Sequence, residues 1–241
     1  MTPDERRDFI VAHTVADRPA LLPEIELRLG GASMPLWEAA ALADTRPAVP
    51  PPYWAWPWAG GQALARYVLD HRGLVRDRTV VDIGCGGGVV AIAAALAGAR
   101  RVTAIDIEPF AIEATTLNAM ANGVTLEAIE ADPIDSDDGW DVVLVGDLWY
   151  EQTLAERMAP WLRALAARGA TVITGDLGRA HLPTDGLLEL ARSVVATPVD
   201  LEDVTEKTVR VLQIEARAPA TTDRGPRTRR RGAAAGRRCP R

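Results

Sequence analysis

The segment Val80-Val81-Asp82-Ile83-Gly84-Cys85-Gly86-Gly87-Gly88 constrains this chain most: a short apolar run ends in an acid and opens into four glycines before an alanine-rich stretch. It reads as strand, tight turn and helix. Glycine is required where the backbone turns left-handed or where a ligand must approach the main chain closely. Such turns serve dinucleotides, phosphates and sulfonium cofactors alike, so the flanking residues decide between them.

A dinucleotide fingerprint needs a third small residue for helix–strand packing and aims a helix N-terminus at a pyrophosphate. Counted from Gly84, that third position is Val89. The phosphate loop of nucleotide hydrolases is excluded as well, because no Lys-Ser or Lys-Thr follows the glycines and the chain's only lysine is Lys207. Asp82 is a poor neighbour for a pyrophosphate and a good one for a cation. Arg101 to Asp106 then reads as a second strand ending in a carboxylate, 24 residues after Asp82. An acid at that strand tip accepts both hydroxyls of a ribose, a device that NAD enzymes share. S-adenosylmethionine, with a sulfonium, an ammonium and a ribose but no phosphate, fits this set of residues.

A pass along the chain gives alternating strands and helices: strand 79–83, helix 87–97, strand 101–106, helix 109–121, strands 125–130 and 141–146, helix 151–167, strand 170–175, and a last pair near 193–199 and 207–214. Pro109 suits a first helical turn, and Asn122-Gly123 suits a helix end. The alternation predicts an α/β fold, a doubly wound and mostly parallel sheet covered on both faces. Ahead of it, 3–13 and 60–71 read as helices, joined by a proline-rich connection at 47–57. In such a sheet ligands bind outside the carboxyl ends of the strands. The loops after Asp82, Asp106, Glu130 and Gly146 therefore line one crevice.

The pattern Asp82-x-Gly84-x-Gly86-x-Gly88, then Asp106, then Asn118-Ala-Met-Ala-Asn122-Gly123 resembles class I, seven-stranded S-adenosylmethionine-dependent methyltransferases over roughly residues 75 to 215. A narrower resemblance lies in Pro51 to Tyr67, with Trp54, Trp56, Trp58, Gly60 and Gly61, and in Gly146-Asp147-Leu148-Trp149-Tyr150-Glu151. These segments are similar to the protein-lysine methyltransferases that modify the β subunit of electron transfer flavoprotein. Ribosomal-protein L11 methyltransferases and nicotinamide N-methyltransferase-like enzymes are more distant in appearance and supply the alternative acceptors. The resemblance implies S-adenosylmethionine as cofactor, held by Asp82, Gly84, Gly86, Asp106 and Gly146. It also places Trp58 near the cofactor and sets Asp132 where the adenine amino group is commonly met. Asp132 before Pro133 is equally an ordinary turn former.

The strand Trp140 to Gly146 delivers Asp147, Trp149 and Tyr150 to the mouth of the crevice, where a methyl acceptor belongs. Methyl transfer from a sulfonium mainly needs a lone pair held in line with the methyl carbon. A lysine must first lose a proton, which at pH 7 costs roughly 4 to 5 kcal/mol from a reference pKa near 10.4. Asp147 is the candidate to hold the ammonium and orient the amine, with Trp149, Tyr150 and Trp54 as an aromatic wall. A carboxylate alone raises an amine's pKa, so proton release needs a further contribution. The competing readings are that Asp147 caps the next helix, that Trp149 and Tyr150 are core aromatics, and that the three tryptophans at 54, 56 and 58 pack beneath the proline-rich loop.

Residues 217–241 hold nine arginines and one acid, Asp223, against a net charge of −6 for all 241 residues, so residues 1–216 carry −14. That tail lacks apolar residues to bury and is expected to be disordered and basic. The expected organisation is an N-terminal substrate-recognition segment over 1–60, a cofactor-binding domain over 61–216 and the tail. No apolar run approaches the ~20 residues of a membrane span, and no metal-ligand spacing joins Cys85, Cys239, His13, His71 and His181. The expectation is a cytoplasmic monomer with a protein substrate, the electron transfer flavoprotein β subunit, and without metal, membrane or nucleic-acid partner. A nucleotide-sugar or NAD-binding protein without transferase activity is the reading from a different class.

Overall fold

The computed structural model describes residues 1–31, 33–44, 49–196 and 206–216. The chain opens with α1 (Pro3–His13), where Thr2 and Glu5 form a reciprocal capping box and Pro3 occupies the first turn. Two short strands follow, β1 (Thr14–Asp17) and β2 (Leu27–Gly30), paired antiparallel, then α2 (Ser33–Ala43), a single 3₁₀ turn at Tyr53–Ala55, and α3 (Ala59–Asp70). The remaining elements are a second 3₁₀ turn at Arg72–Leu74, β3 (Thr79–Ile83), α4 (Val89–Leu96), β4 (Arg101–Asp106), α5 (Pro109–Ala121), β5 (Glu127–Glu130), β6 (Val142–Gly146), α6 (Gln152–Ala167), β7 (Thr171–Asp176), β8 (Leu187–Ala196) and β9 (Glu206–Ile214).

Seven strands form one sheet in the order β5-β4-β3-β6-β7-β9-β8. The first five of these are mutually parallel, and β9 alone runs against its neighbours β7 and β8. From β3 the chain winds outward through β4 to β5, then returns to place β6 on the other side of β3. The winding direction therefore reverses between β3 and β6, and a crevice opens at their carboxyl ends.

The period of two in the strands assigns each side chain to a layer. Val80, Val142 and Leu144 join the layer built with Leu64 and Val68 of α3 and Ala91 and Ala94 of α4. Val81, Ile83, Val143 and Val145 face the opposite layer, packed on Met158, Leu162 and Leu165 of α6. Both faces of the central strands are buried, which explains why β6 reads as an unbroken apolar run. Leu144 is fully buried, so truncation to alanine is expected to cost about 2–5 kcal/mol.

A third cluster seats the N-terminal elements on α5: Phe9 and Ile10 of α1, Leu36 and Ala40 of α2, Trp54, Ala55 and Trp56 surround Phe110, Ala111 and Ala114. Arg7 Nε donates to the buried Glu113 at 2.6 Å. The pair β1–β2 and helix α2 were not anticipated from sequence, and β8 begins at Leu187 rather than near 193. Part of the last predicted pair (197–199), part of the proline-rich connection (47–48) and the tail (217–241) lie outside the described residues.

Candidate active site at the carboxyl ends of the strands

The glycine loop adopts the left-handed backbone its composition requires, with φ of +64° at Gly84, +52° at Gly86 and +81° at Gly88. A Cβ on Gly84 would press on Leu148 at 2.6 Å and one on Gly88 on Thr115 at 2.8 Å, so those two glycines serve packing. At Gly86 a Cβ would meet only Trp54 Cα at 3.7 Å. That position is the open face of the cradle.

Side chains from two elements hold the loop. The Gly86 amide donates to Asp106 Oδ2 at 2.9 Å, while Asp106 Oδ1 accepts from the Glu108 amide at 2.9 Å. A carboxylate offers about four lone-pair sites, so Asp106 retains capacity for the hydroxyls of a ribose. Burial pushes its pKa up, against the amides that pull it down. Thr115 Oγ1 donates to the Gly86 carbonyl at 2.9 Å, and Asn118 Nδ2 donates to the Gly87 carbonyl at 2.8 Å. Asn118 Oδ1 in turn accepts the Arg28 amide at 2.7 Å, tying the loop to β2.

Asp82 is 2 % exposed and accepts the Ala91 amide at 2.9 Å, near the start of α4. Burial raises its pKa to about 8, only partly opposed by that amide. The crevice is lined by Asp82, Gly84, Gly86, Gly146, Asp147 and Trp58, among others, with Arg28 as the one cationic lining residue among the described residues. Two acids with one cation, set beside an open glycine, fit a ligand that carries a sulfonium and an ammonium. The same set offers little to a pyrophosphate.

Helix α3 starts against the opposite wall. A Cβ on Gly60 would collide with the Gly175 carbonyl oxygen, and one on Gly146 would lie 3.1 Å from Gly61 Cα. Glycine at positions 60 and 146 lets the helix backbone reach the ends of β6 and β7. Trp58 is the residue before α3, and its Nε1 donates to the Tyr53 carbonyl at 2.9 Å.

Asp147 follows β6 with φ of +56°, a left-handed backbone that Asp tolerates better than most residues. Its Oδ2 accepts the Gly61 amide at 2.7 Å, and Oδ1 lies 3.4 Å from Arg179 Nη2. The side chain is therefore not the cap of α6, a place held by Glu151. Burial raises the Asp147 pKa to about 6 in spite of Arg179 and the Gly61 amide. Tyr150 is half exposed, with its ring centroid 6.2 Å from that of Tyr53, which is also half exposed.

Two expectations, the aromatic faces of Trp149 and Trp54, are corrected. Trp149 is fully buried beneath the crevice, with Nε1 donating to Thr174 Oγ1 at 2.9 Å and its ring in the α6 layer, so it presents no face to an acceptor. Trp54 is 4 % exposed and its ring stacks on Phe110 at 5.8 Å and 8°, while its main chain lies against Gly86 and Gly87. Asp132 is exposed, pairs with Arg157 Nη2 at 2.8 Å and accepts the Ile134 amide at 3.1 Å. Arg157 holds its carboxyl below the usual range, and Asp132 takes the turn-forming role.

Sequence reasoning did not single out Tyr53, Asp176 or Arg179. Asp176 is fully buried at the end of β7, where its Oδ1 accepts the Gly178 and Arg179 amides at 2.6 and 2.7 Å. The Asp-x-Gly-Arg run after a strand signals that turn. It carries no sign of the reach of Arg179 back to Asp147.

The family model of the ribosomal protein L11 methyltransferases matches residues 62–175. The electron transfer flavoprotein beta subunit lysine methyltransferase of Danio rerio is 41 % identical over 182 residues, which are 74 % of this chain and 69 % of the relative. The protein of that name from Xenopus laevis is 39 % identical, covering 76 % and 74 %, and that from Homo sapiens 40 % identical, covering 73 % and 67 %. The crystal structure of a candidate RNA methyltransferase from Pyrococcus horikoshii superposes with a TM-score of 0.50 at 17 % identity, covering 73 % of this chain and 94 % of that one. By sequence, by strand order and by the acid-flanked glycine cradle, the chain belongs to the electron transfer flavoprotein beta subunit lysine methyltransferase family and is a class I S-adenosylmethionine-dependent methyltransferase.

Proposed function

We propose that this enzyme methylates a lysine ε-amine on the β subunit of electron transfer flavoprotein. The observation that carries the reading is the placement of Asp147, a buried carboxylate lining the crevice at the end of β6, three residues before the half-exposed ring of Tyr150, which stands 6.2 Å from that of Tyr53. A carboxylate pairs with a lysine ammonium, and exposed aromatic faces attract it. The relatives at 39 to 41 % identity carry that substrate in their names.

When bound, S-adenosylmethionine supplies an electrophilic methyl group on a sulfonium, so no covalent nucleophile is asked of the protein. Asp82, Gly84, Gly86, Asp106 and Gly146 hold and orient it, with Trp58 at the rim. Asp147 anchors the acceptor ammonium, and Tyr150 with Tyr53 excludes water and aligns the amine for in-line attack. The N-terminal elements before α3, which pack on α5 beside the crevice, form part of the protein-substrate face. The match to the L11 methyltransferases is confined to residues 62–175, the cofactor-binding part, and so speaks to the donor rather than the acceptor.

The test is to incubate the purified enzyme with methyl-labelled S-adenosylmethionine and purified electron transfer flavoprotein. Label in the β subunit, mapped to lysine by mass spectrometry, is the expected result. Label absent from that subunit but present in ribosomal protein L11, or only in a small amine such as nicotinamide, would overturn the assignment.

A further inference from the structure

The guanidinium of Arg179 stands at the one oxygen of Asp147 that the α3 amide leaves available. Its main chain is firmly set, with the Arg179 amide on Asp176 Oδ1 at 2.7 Å in a turn that also uses Gly178 at φ +91°. Its side chain is held loosely. Nη2 is 3.4 Å from Asp147 Oδ1 and Nε is 3.9 Å from Asp176 Oδ2, both longer than the 2.7–2.9 Å usual for charge-assisted hydrogen bonds. Arg179 Nε and Asp176 Oδ2 are both buried without a hydrogen-bond partner among the described residues. The side chain is 23 % exposed and borders a second crevice lined by Gly178, Pro183, Leu187, Glu189 and Arg210.

This arrangement answers a difficulty in the chemistry. A lone carboxylate that holds an ammonium raises the amine's pKa and makes the required proton harder to remove. A guanidinium on the same carboxylate opposes that effect, because it partly cancels the negative charge and repels the ammonium. We propose that Arg179 is a positioning residue that shares Asp147 with the acceptor, letting the carboxylate orient the amine without retaining its proton. The proposal rests on lysine methylation as the reaction. In the step itself an ammonium N–H bond breaks and the proton passes to water. The freed lone pair then forms the N–C bond as the C–S bond of the donor breaks, with that electron pair staying on sulfur. The products are a methylated ammonium and a neutral thioether.

The other groups facing this centre are accounted for. Asp176 lies behind Arg179 on β7, Arg210 approaches Asp176 from β9, and Glu189 lies across the second crevice on β8, paired with Arg192. Tyr150 and Asp82 face it from the crevice side, and α3 offers only the backbone of Gly60 and Gly61. Arg179 is the cation in contact with Asp147 among the described residues.

The experiment is a pH profile of kcat and KM on the flavoprotein β subunit for the wild type, Arg179→Met and Arg179→Lys. With Arg179→Met, the higher of the ascending limbs of kcat, that of the bound amine, should move up by about one pH unit or more, with KM unchanged or lower and the alkaline plateau retained. Arg179→Lys keeps the charge and should return the limb to within about 0.3 pH unit of wild type. A limb that stays in place in Arg179→Met, or a loss of kcat uniform across pH in both variants, would overturn the role of Arg179. A wild type with no activity on lysine would instead overturn the assigned reaction and this role together.

Discussion

The carboxylate of Asp147 accepts the backbone amide of Gly61 at 2.7 Å across 86 positions of sequence, so the side chain proposed to meet the acceptor also holds the first turn of α3. Asparagine preserves an acceptor oxygen for Gly61 and loses the charge. Asp147→Asn is therefore expected to fold and to bind S-adenosylhomocysteine like wild type, with kcat reduced by roughly 10²-fold or more. Alanine would leave the Gly61 amide unpaired and cost a further 1–3 kcal/mol or so in stability. Isothermal calorimetry, steady-state kinetics and thermal unfolding separate the two effects.

Asp82 is expected to make ligand binding depend on pH. Its native pKa is about 8 against an ordinary value of 3.8, so between these values the folded protein keeps a proton that the unfolded chain has released. Its contribution to stability thus falls as pH rises through that window. A cationic ligand favours the ionised form, so binding should release a proton near pH 7. Calorimetry in buffers of different ionisation enthalpy measures that release, and Asp82→Asn should abolish it while lessening the stability loss toward pH 8.

Gly86 separates ligand space from protein packing. Alanine there meets no protein atom closer than 3.7 Å, and its left-handed backbone costs about 1–2 kcal/mol. Gly86→Val should remain folded yet lose binding of S-adenosylhomocysteine. A thermal-shift titration showing normal affinity would mean that the cradle lies elsewhere.

Trp149 and Tyr150 are adjacent in sequence and opposite in consequence. Trp149→Phe strands the Thr174 hydroxyl and should lower stability by about 1–3 kcal/mol with kcat and KM little changed at permissive temperature. Tyr150→Ala removes a half-exposed ring and should raise KM for the protein substrate with little effect on unfolding temperature. Paired melting curves and kinetics decide both.

The sheet and the glycine-loop side of the crevice were legible because their signals are local. The apolar run of β3, the acid at the tip of β4 and the Pro109 to Ala121 helix each announce themselves within a short stretch, and β3, β4, α1 and α5 occupy the expected spans. The Asp147 side depends on distant meetings. Arg179 reaches Asp147 across 32 positions and Tyr53 faces Tyr150 across 97, with no periodicity to reveal either. β1 and β2 are four residues each, too short for alternation to stand out, and β2 is placed by Asn118 of α5 and by Asn122 just after that helix, which accept the amides of Arg28 and Glu26. The direction of Trp149 followed from Thr174 beneath it, which no local pattern records.

The backbone contact between Gly60 and Gly175 sets a limit for anyone redesigning this enzyme. Neither position has room for a methyl group, so the joint between α3 and β7 works as a fixed pivot and not as a tunable surface. Libraries meant to redirect acceptor choice belong at Tyr53 and Tyr150, whose rings face solvent, with the two glycines left untouched.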